Sequence, residues 1–238
     1  MRALKNSIEF FLGLLFPDMC LGCRKEGFLL CGPCSSSLLR TLPSCIACKK
    51  FVPAQGNSPP GKTCRSCRKK TAVSVFFSPL RYREALVQDL IHQLKYRRTK
   101  EIAKILAGII LHRLRQFQIV FPPDATLLPI PLHHRKKRVR GFNQAELIAM
   151  ELSRLLSLPT ETELLKRVKA TRSQTGLGFE ERKNNLEGAF VITDRGRIQG
   201  KNFILLDDVK TTGATFNAAA SVLKESGARK VWAVSAAQ

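Results

Sequence analysis

All eight cysteines of this 238-residue chain lie between Cys20 and Cys67, in four pairs of one spacing: Cys20/Cys23, Cys31/Cys34, Cys45/Cys48 and Cys64/Cys67. A Cys-x-x-Cys turn lets two thiolates converge on one tetrahedral ion, and two such pairs complete a closed four-thiolate site. Four pairs therefore predict two structural zinc ions in a double zinc ribbon. Sequential pairing closes the shortest loops; interleaved pairing uses the same spacing and stays open. A disulfide framework needs an oxidising compartment, and no export signal is visible. A thioredoxin-like redox motif needs a strand–helix context, which four successive pairs do not offer. Residues 53–62 (PAQGNSPPGK) read as an exposed loop within the second ribbon. A module this small has little core, so metal binding would supply much of its folding energy.

The rest of the chain is of another kind. Hydrophobic residues make up 44% and charged residues 24%, a globular mixture that excludes wholesale disorder and fibrous classes. Lys and Arg number 40 against 18 Asp and Glu, a net charge of +22. Such an excess points to a polyanionic partner: nucleic acid, a phosphate-bearing ligand or an acidic protein surface. Residues 8–16 (IEFFLGLLF) form the longest apolar run, far short of the roughly 20 residues a bilayer span needs. They are followed by Pro17, Asp18 and Met19 rather than a small-residue cleavage site. The run reads as a short amphipathic helix packed on the domain behind it, in a cytoplasmic protein without a membrane span.

Two domains are expected: residues 1–71, holding the helix and ribbons, and residues 72–238. The second begins with a helical lead-in, 72–124, in which 72–77 form a strand. Helices at 83–96 and 101–117 follow, with Leu86, Leu90, Ile91 and Leu94, then Ile102, Ile105, Leu106, Ile109 and Ile110, at helical spacing. After Pro122-Pro123, strands alternate with helices. Strands are expected at 126–130, 162–165, 202–206 and 230–235, helices at 143–156 and 215–225, and a polar loop at 171–185. That alternation argues an α/β fold, a parallel sheet with flanking helices.

Residues 203–215 (FILLDDVKTTGAT) carry the most chemistry. An apolar strand ends in two adjacent carboxylates, and a Thr/Gly turn then opens a helix. Open parallel sheets bind ligands at this edge. The turn offers backbone N–H groups, hydroxyls and a positive helix terminus, a cradle for phosphate. Gly213 allows close backbone approach. Two carboxylates beside a phosphate pocket need a task of their own, and accepting hydrogen bonds from vicinal sugar hydroxyls, near a Mg²⁺ ion, is one. The segment resembles the 5-phosphoribosyl-1-pyrophosphate (PRPP) motif of type I phosphoribosyltransferases. By that resemblance Asp207 and Asp208 hold the ribose hydroxyls. Lys210, Thr211, Thr212, Gly213, Ala214 and Thr215 wrap the 5′-phosphate.

A wider resemblance covers nearly the whole chain. The Cys-x-x-Cys pairs, residues 90–96 (LIHQLKY), 129–133 (PIPLH), 140–146 (RGFNQAE), 172–175 (RSQT), 182–186 (RKNNL) and the PRPP motif occur in the order found in the ComF family. These competence-associated proteins join a double zinc ribbon to a type I phosphoribosyltransferase domain resembling amidophosphoribosyltransferases. His134 departs from the family's usual proline. Residues 131–140 follow the first core strand, where that fold has its pyrophosphate loop, and hold five cations in six residues. A solvated basic turn is the alternative. Arg forks match pyrophosphate oxygens, and Arg135 and Arg140 are the expected ligands. Residues 170–185 correspond to the mobile loop that closes over PRPP, with Arg172, Gln174 and Arg182 as its polar candidates and Arg172 as a catalytic one. His133 and His134 read as surface residues.

Two functions of different class follow. One is a phosphoribosyltransferase that takes Mg²⁺-PRPP and transfers phosphoribosyl to an acceptor the sequence does not reveal. The other is a non-enzymatic adaptor in natural transformation, binding single-stranded DNA and a helicase-like partner, with PRPP at most a regulatory ligand. Residues 1–75 carry 12 basic and 3 acidic groups against 19 and 11 in residues 126–238. The relative excess in the ribbon half suits a nucleic-acid surface. No P-loop occurs, so helicase activity is not supported.

Overall fold

A computed structural model describes residues 17–38, 41–96, 99–169 and 186–238. The expected helix at 8–16 lies outside them. The cysteine module leads into the chain with one short helix, α1 (Gly32–Ser37), and a 3-10 turn at Arg65–Cys67. Its two halves repeat one geometry. The Cys20 N–H donates to Lys25 O at 2.8 Å and the Cys45 N–H to Lys50 O at 2.9 Å. Arg24 and Lys49 hold equivalent left-handed conformations, with φ of 63° and 62°.

Strand β1 (Val75–Phe77) follows, then helices α2 (Ala85–Tyr96) and α3 (Thr99–Gln116) and strand β2 (Ala125–Pro129). Next come α4 (His134–Arg140), α5 (Gln144–Leu156), β3 (Leu165–Arg167), β4 (Phe190–Ile192), β5 (Asn202–Val209), α6 (Ala214–Glu225) and β6 (Lys230–Ala237). The main sheet has the order β1-β6-β5-β2 and every pairing in it is parallel. Leu206 of β5 stands beside Pro129 of β2 and Val234 of β6. Strands β3 and β4 form a separate antiparallel pair.

Alternation along β5 divides the core. Ile204 and Leu206 face one layer with α2, α3 and α5, through Leu90, Leu94, Ile102, Leu106 and Ile148. Phe203 and Leu205 face the other, with Phe216, Ala219 and Leu223 of α6. Strand β5, buried on both faces, is apolar from Phe203 to Leu206, as a central parallel strand tends to be. The chain leaves β2 toward one layer and β5 toward the other. Their carboxyl ends thus splay apart at a topological switch point, where open α/β sheets take ligands.

The α/β class, the parallel sheet and the preceding cysteine clusters are as expected. Two local expectations are corrected. The strand expected at 162–165 starts at Leu165 and pairs with β4, which was not anticipated. The stretch 131–140 is largely a helix rather than a loop. Arg and Lys are good helix formers, the His133 side chain caps the start, and Gly141 closes the end at φ 82°.

Candidate functional site

At the switch point lies a cleft of about 340 Å³. Strand β5 contributes Asp207 and Asp208, and the turn beyond it contributes Lys210, Thr211, Gly213 and Thr215. Lys95 enters from α2, Lys136 and Arg140 from α4, Gln144 from α5 and Arg167 from β3. Residues far apart in sequence are thus brought together by five elements, α2, α4, α5, β3 and β5, that meet at the cleft.

The two carboxylates diverge. Asp208 pairs with Lys95, Nζ to Oδ2, at 3.0 Å. Its own N–H donates to Asp207 Oδ1 at 2.9 Å, tying the dyad together. Burial, followed by the charge of Asp208, raises Asp207 well above the ordinary carboxylate range, and Lys95 only partly opposes this. Across the cleft, burial lowers Lys136, and the charges of Arg167, Arg140 and Lys95 lower it further. Burial likewise lowers Arg167, with Asp207 opposing. Four cations crowded beside two carboxylates cost the empty protein free energy, which a bound polyanion would relieve. The Gln144 side-chain oxygen, buried with no hydrogen-bond partner in the described structure, is an acceptor that calls for a donor such as a ligand hydroxyl rather than an anion.

The turn after β5 has the shape the sequence suggested. Gly213 sits at φ 87° and caps α6. A Cβ there would stand 3.3 Å from Ile46 Cγ1, so both the dihedral and the close approach require glycine. Thr212 Oγ1 accepts from the Ala214 N–H at 3.3 Å. Lys210 is buried, its Nζ 4.9 Å from the Phe76 ring centre. Burial, and then the charge of Lys49, bring it down to about 8, with Cys45 opposing.

Of the residues singled out in the sequence, Asp207, Asp208, Lys210, Thr211, Gly213, Thr215 and Arg140 line the cleft. Thr212 and Ala214 shape its loop. Arg135 does not line it; the exposed Arg135 uses its N–H to bond His133 Nδ1 at 3.3 Å. His133 is buried and caps α4, not a surface residue as expected. Arg172, Gln174 and Arg182 lie outside the described residues. Lys95, Lys136, Gln144 and Arg167 were missed as cleft residues. A helical reading of 134–140 would have found Lys136, which stands four residues before Arg140 on the same face.

The cysteines fall into two sets, Cys20/Cys23/Cys31/Cys34 and Cys45/Cys48/Cys64/Cys67, each with its sulfurs within 4.8 Å of one another. The pairing is sequential. Sulfur separations of 3.6 Å (Cys23 to Cys31) and 3.7 Å (Cys48 to Cys64) are close to a zinc tetrahedron's edge. With Zn–S near 2.3 Å that edge is about 3.8 Å. Burial raises the Cys20 thiol, but hydrogen bonds with the Cys23, Cys31 and Gly22 backbones outweigh it and bring it to about 6. Cys34 is pushed up to about 12 by its bond to the Cys31 thiol and then by burial. The second set repeats this. The Ser66 and Cys67 side chains bring Cys64 to about 6, and bonding to Cys64, then burial, push Cys67 to about 12. One thiolate in each set opposes the next, so a divalent cation is what lets all four ionise together. Both sets fit zinc, with Cys20, Cys23, Cys31 and Cys34 holding one ion and the other four a second.

No family model matches the sequence. Over 216 residues, 90% of this chain and 87% of the relative, it is 30% identical to Competence protein F of Haemophilus influenzae. The chain belongs to the competence protein F family. To a second relative, the DNA utilization protein YhgH of Escherichia coli strain K12, this family member is 32% identical over 233 residues. That match covers 92% of this chain and 96% of the relative. A solved glutamine PRPP amidotransferase from B. subtilis, complexed with ADP and GMP, is 18% identical at a TM-score of 0.35. It covers 57% of this chain and 25% of that one. The fold described above stands on strand order and register instead. No described helix is long and apolar enough to cross a membrane.

Proposed function

We propose that the cleft binds Mg²⁺-PRPP in a cytoplasmic protein of DNA uptake, with residues 72–238 as the ligand-binding domain. One observation carries the reading: a carboxylate dyad, a glycine-capped helix start and four cations meet at the switch point of a parallel sheet. The 5′-phosphate lies in the turn of Lys210 to Thr215, where Thr hydroxyls and backbone N–H groups face an anion. The ribose diol donates to Asp207 and Asp208. The pyrophosphate, with its Mg²⁺, meets Lys136 and Arg140, whose charges suit a leaving group that gains negative charge. Transfer at this site would break the bond from ribose C1 to pyrophosphate and give the phosphoribosyl group to an acceptor. The competence and DNA-utilization names of the relatives support reading this site in the setting of DNA handling.

Isothermal calorimetry with Mg²⁺-PRPP tests this. Binding in the micromolar range is the order of magnitude expected of several charge-assisted contacts, about −8 kcal/mol. The Asp207→Asn/Asp208→Asn protein should lose it while keeping its circular dichroism. Equal affinity in both proteins would overturn the assignment. Pyrophosphate release that requires an added acceptor would establish an enzyme.

The charge favours a second role beside the first. Arg135, Lys137 and Arg138 are exposed on α4 and do not line the cleft, and Lys137 meets Glu146 of α5 at 3.5 Å. With the basic cysteine module they make a surface for the phosphates of single-stranded DNA, and for the competence helicase-like partner that would hand it over.

A further inference from the structure

The two cysteine knuckles are near copies, yet they dock on different parts of the protein. Leu21, in the first (Cys20-Leu-Gly-Cys23), packs on the α2 and α3 layer. Ile46 holds the same place in the second (Cys45-Ile-Ala-Cys48). It is 2% exposed and belongs to the other layer, with Phe76, Phe203 and Phe216. Its Cγ1 and Cδ1 stand 3.3 Å and 3.6 Å from the place where a Cβ on Gly213 would be. A second tie lies beside it. The Ala72 N–H, just past Cys67, donates to Asn217 Oδ1 at 2.8 Å. The Asn217 N–H in turn donates to Gly213 O at 2.9 Å. The second knuckle thus packs against the turn at Gly213 with a side chain that does not itself line the cleft.

We propose that Ile46 is a positioning residue for this turn, and that metal in the second cysteine set, through Ile46, holds the turn in its ligand-binding shape. The proposal rests on the reading of the turn as a phosphate site. The physical reason is twofold. A glycine samples many backbone conformations, so one defined shape at the tip of a loop is kept only where neighbouring groups restrict it. A knuckle whose thiolates have lost their ion has little else to fix it, so Ile46 would then leave the glycine unsupported. The first knuckle, docked on α2, has no such connection.

Hydrogen exchange of peptides spanning residues 210–217 tests the claim without ligand, beside zinc content and Mg²⁺-PRPP calorimetry. Ile46→Ala should keep two zinc ions, speed exchange in that segment several-fold, and weaken PRPP. If the turn is then competent about a tenth of the time, the dissociation constant rises about tenfold. Ile46→Val should restore both readouts most of the way. Leu21→Ala, the same truncation in the other knuckle, should change neither. Cys48→Ser should lose one zinc ion and loosen 210–217 as Ile46→Ala does. Exchange in Ile46→Ala equal to wild type, or equal loosening by Leu21→Ala, overturns the positioning role. Unchanged exchange in Cys48→Ser overturns the metal's part. Should Ile46→Ala not fold, Ile46→Val carries the same comparison at smaller amplitude. A wild-type protein that ignores PRPP sinks the phosphate reading alone, because the exchange result still decides for or against Ile46.

Discussion

Asp207 illustrates a conflict between folding and binding at a single side chain. Burial and the neighbouring Asp208 raise it above its ordinary value. Between that value and the raised one, the folded protein holds a proton that the unfolded chain has released. Folding stability must then fall as pH rises through the window. Asp207→Asn removes the titration. Its melting temperature should exceed that of wild type at pH 8, and the gain should shrink as pH falls toward the ordinary carboxylate value of 3.8, becoming small near pH 4. Melts across pH 4–9 would show it, and a variant less stable at pH 8 contradicts the burial argument. Lys95 is the reverse case. It pairs with Asp208, with side-chain exposures of 25% and 12%, between the surface and buried regimes. Lys95→Met leaves Asp208 charged and unpaired, at a cost of about 2 kcal/mol. Adding Asp208→Asn to that variant should return most of the loss in urea denaturation. Failure to recover would mean that Lys95 matters for packing rather than for charge.

Among the turns and helices, two glycines make a matched pair. Gly141 ends α4 at φ 82° and Gly213 starts α6 at φ 87°. A Cβ on Gly141 would meet nothing within 4 Å, whereas one on Gly213 would meet Ile46. Gly141→Ala should therefore cost only the dihedral strain, about 1 kcal/mol. Gly213→Ala should cost more, about 2–3 kcal/mol, because strain and crowding add. Equal losses in urea would show that Ile46 gives way freely. The role of Gly213 was legible from sequence, since a glycine in a turn after an apolar strand has few other uses, whereas Gly141 stood there only as part of a motif. The helix α4 was not legible. Five cations in six residues suggest a turn, and only the cap from His133 and the close at Gly141 make the segment helical. That reading put Arg135 with Arg140 toward the cleft, whereas it is Lys136, one residue and about 100° around the helix, that lines the cleft. Lys95 and Arg167 were invisible for another reason. Each reaches the cleft only because separate elements end at the same sheet edge, and no local pattern carries that. The division of the cysteines was half legible: spacing gave two sets, while the contact of Ile46 with the turn needed the fold.

On the proposed function, the charge of the whole molecule is shared between two kinds of anion. The net +22 exceeds anything one PRPP could neutralise, and α4 offers its cations on two sides. Lys136 and Arg140 line the cleft, and Arg135, Lys137 and Arg138 are exposed outside it. If the outer side meets single-stranded DNA, binding should read phosphates rather than bases and release counterions as it does so. Affinity should then fall with salt at a slope of roughly −0.7 per phosphate neutralised. Arg135→Ala/Arg138→Ala should weaken DNA about equally for any sequence and reduce that slope by about 1.4, while leaving PRPP affinity unchanged. Lys136→Ala/Arg140→Ala should weaken PRPP strongly and DNA less. Because both ligands use one seven-residue helix, saturating Mg²⁺-PRPP should displace part of the DNA and not all of it. Fluorescence titrations at two salt concentrations, with and without Mg²⁺-PRPP, separate the outcomes. Full displacement would place the strand in the cleft itself, unchanged binding would place it on the cysteine module, and insensitivity to salt would remove the electrostatic basis altogether.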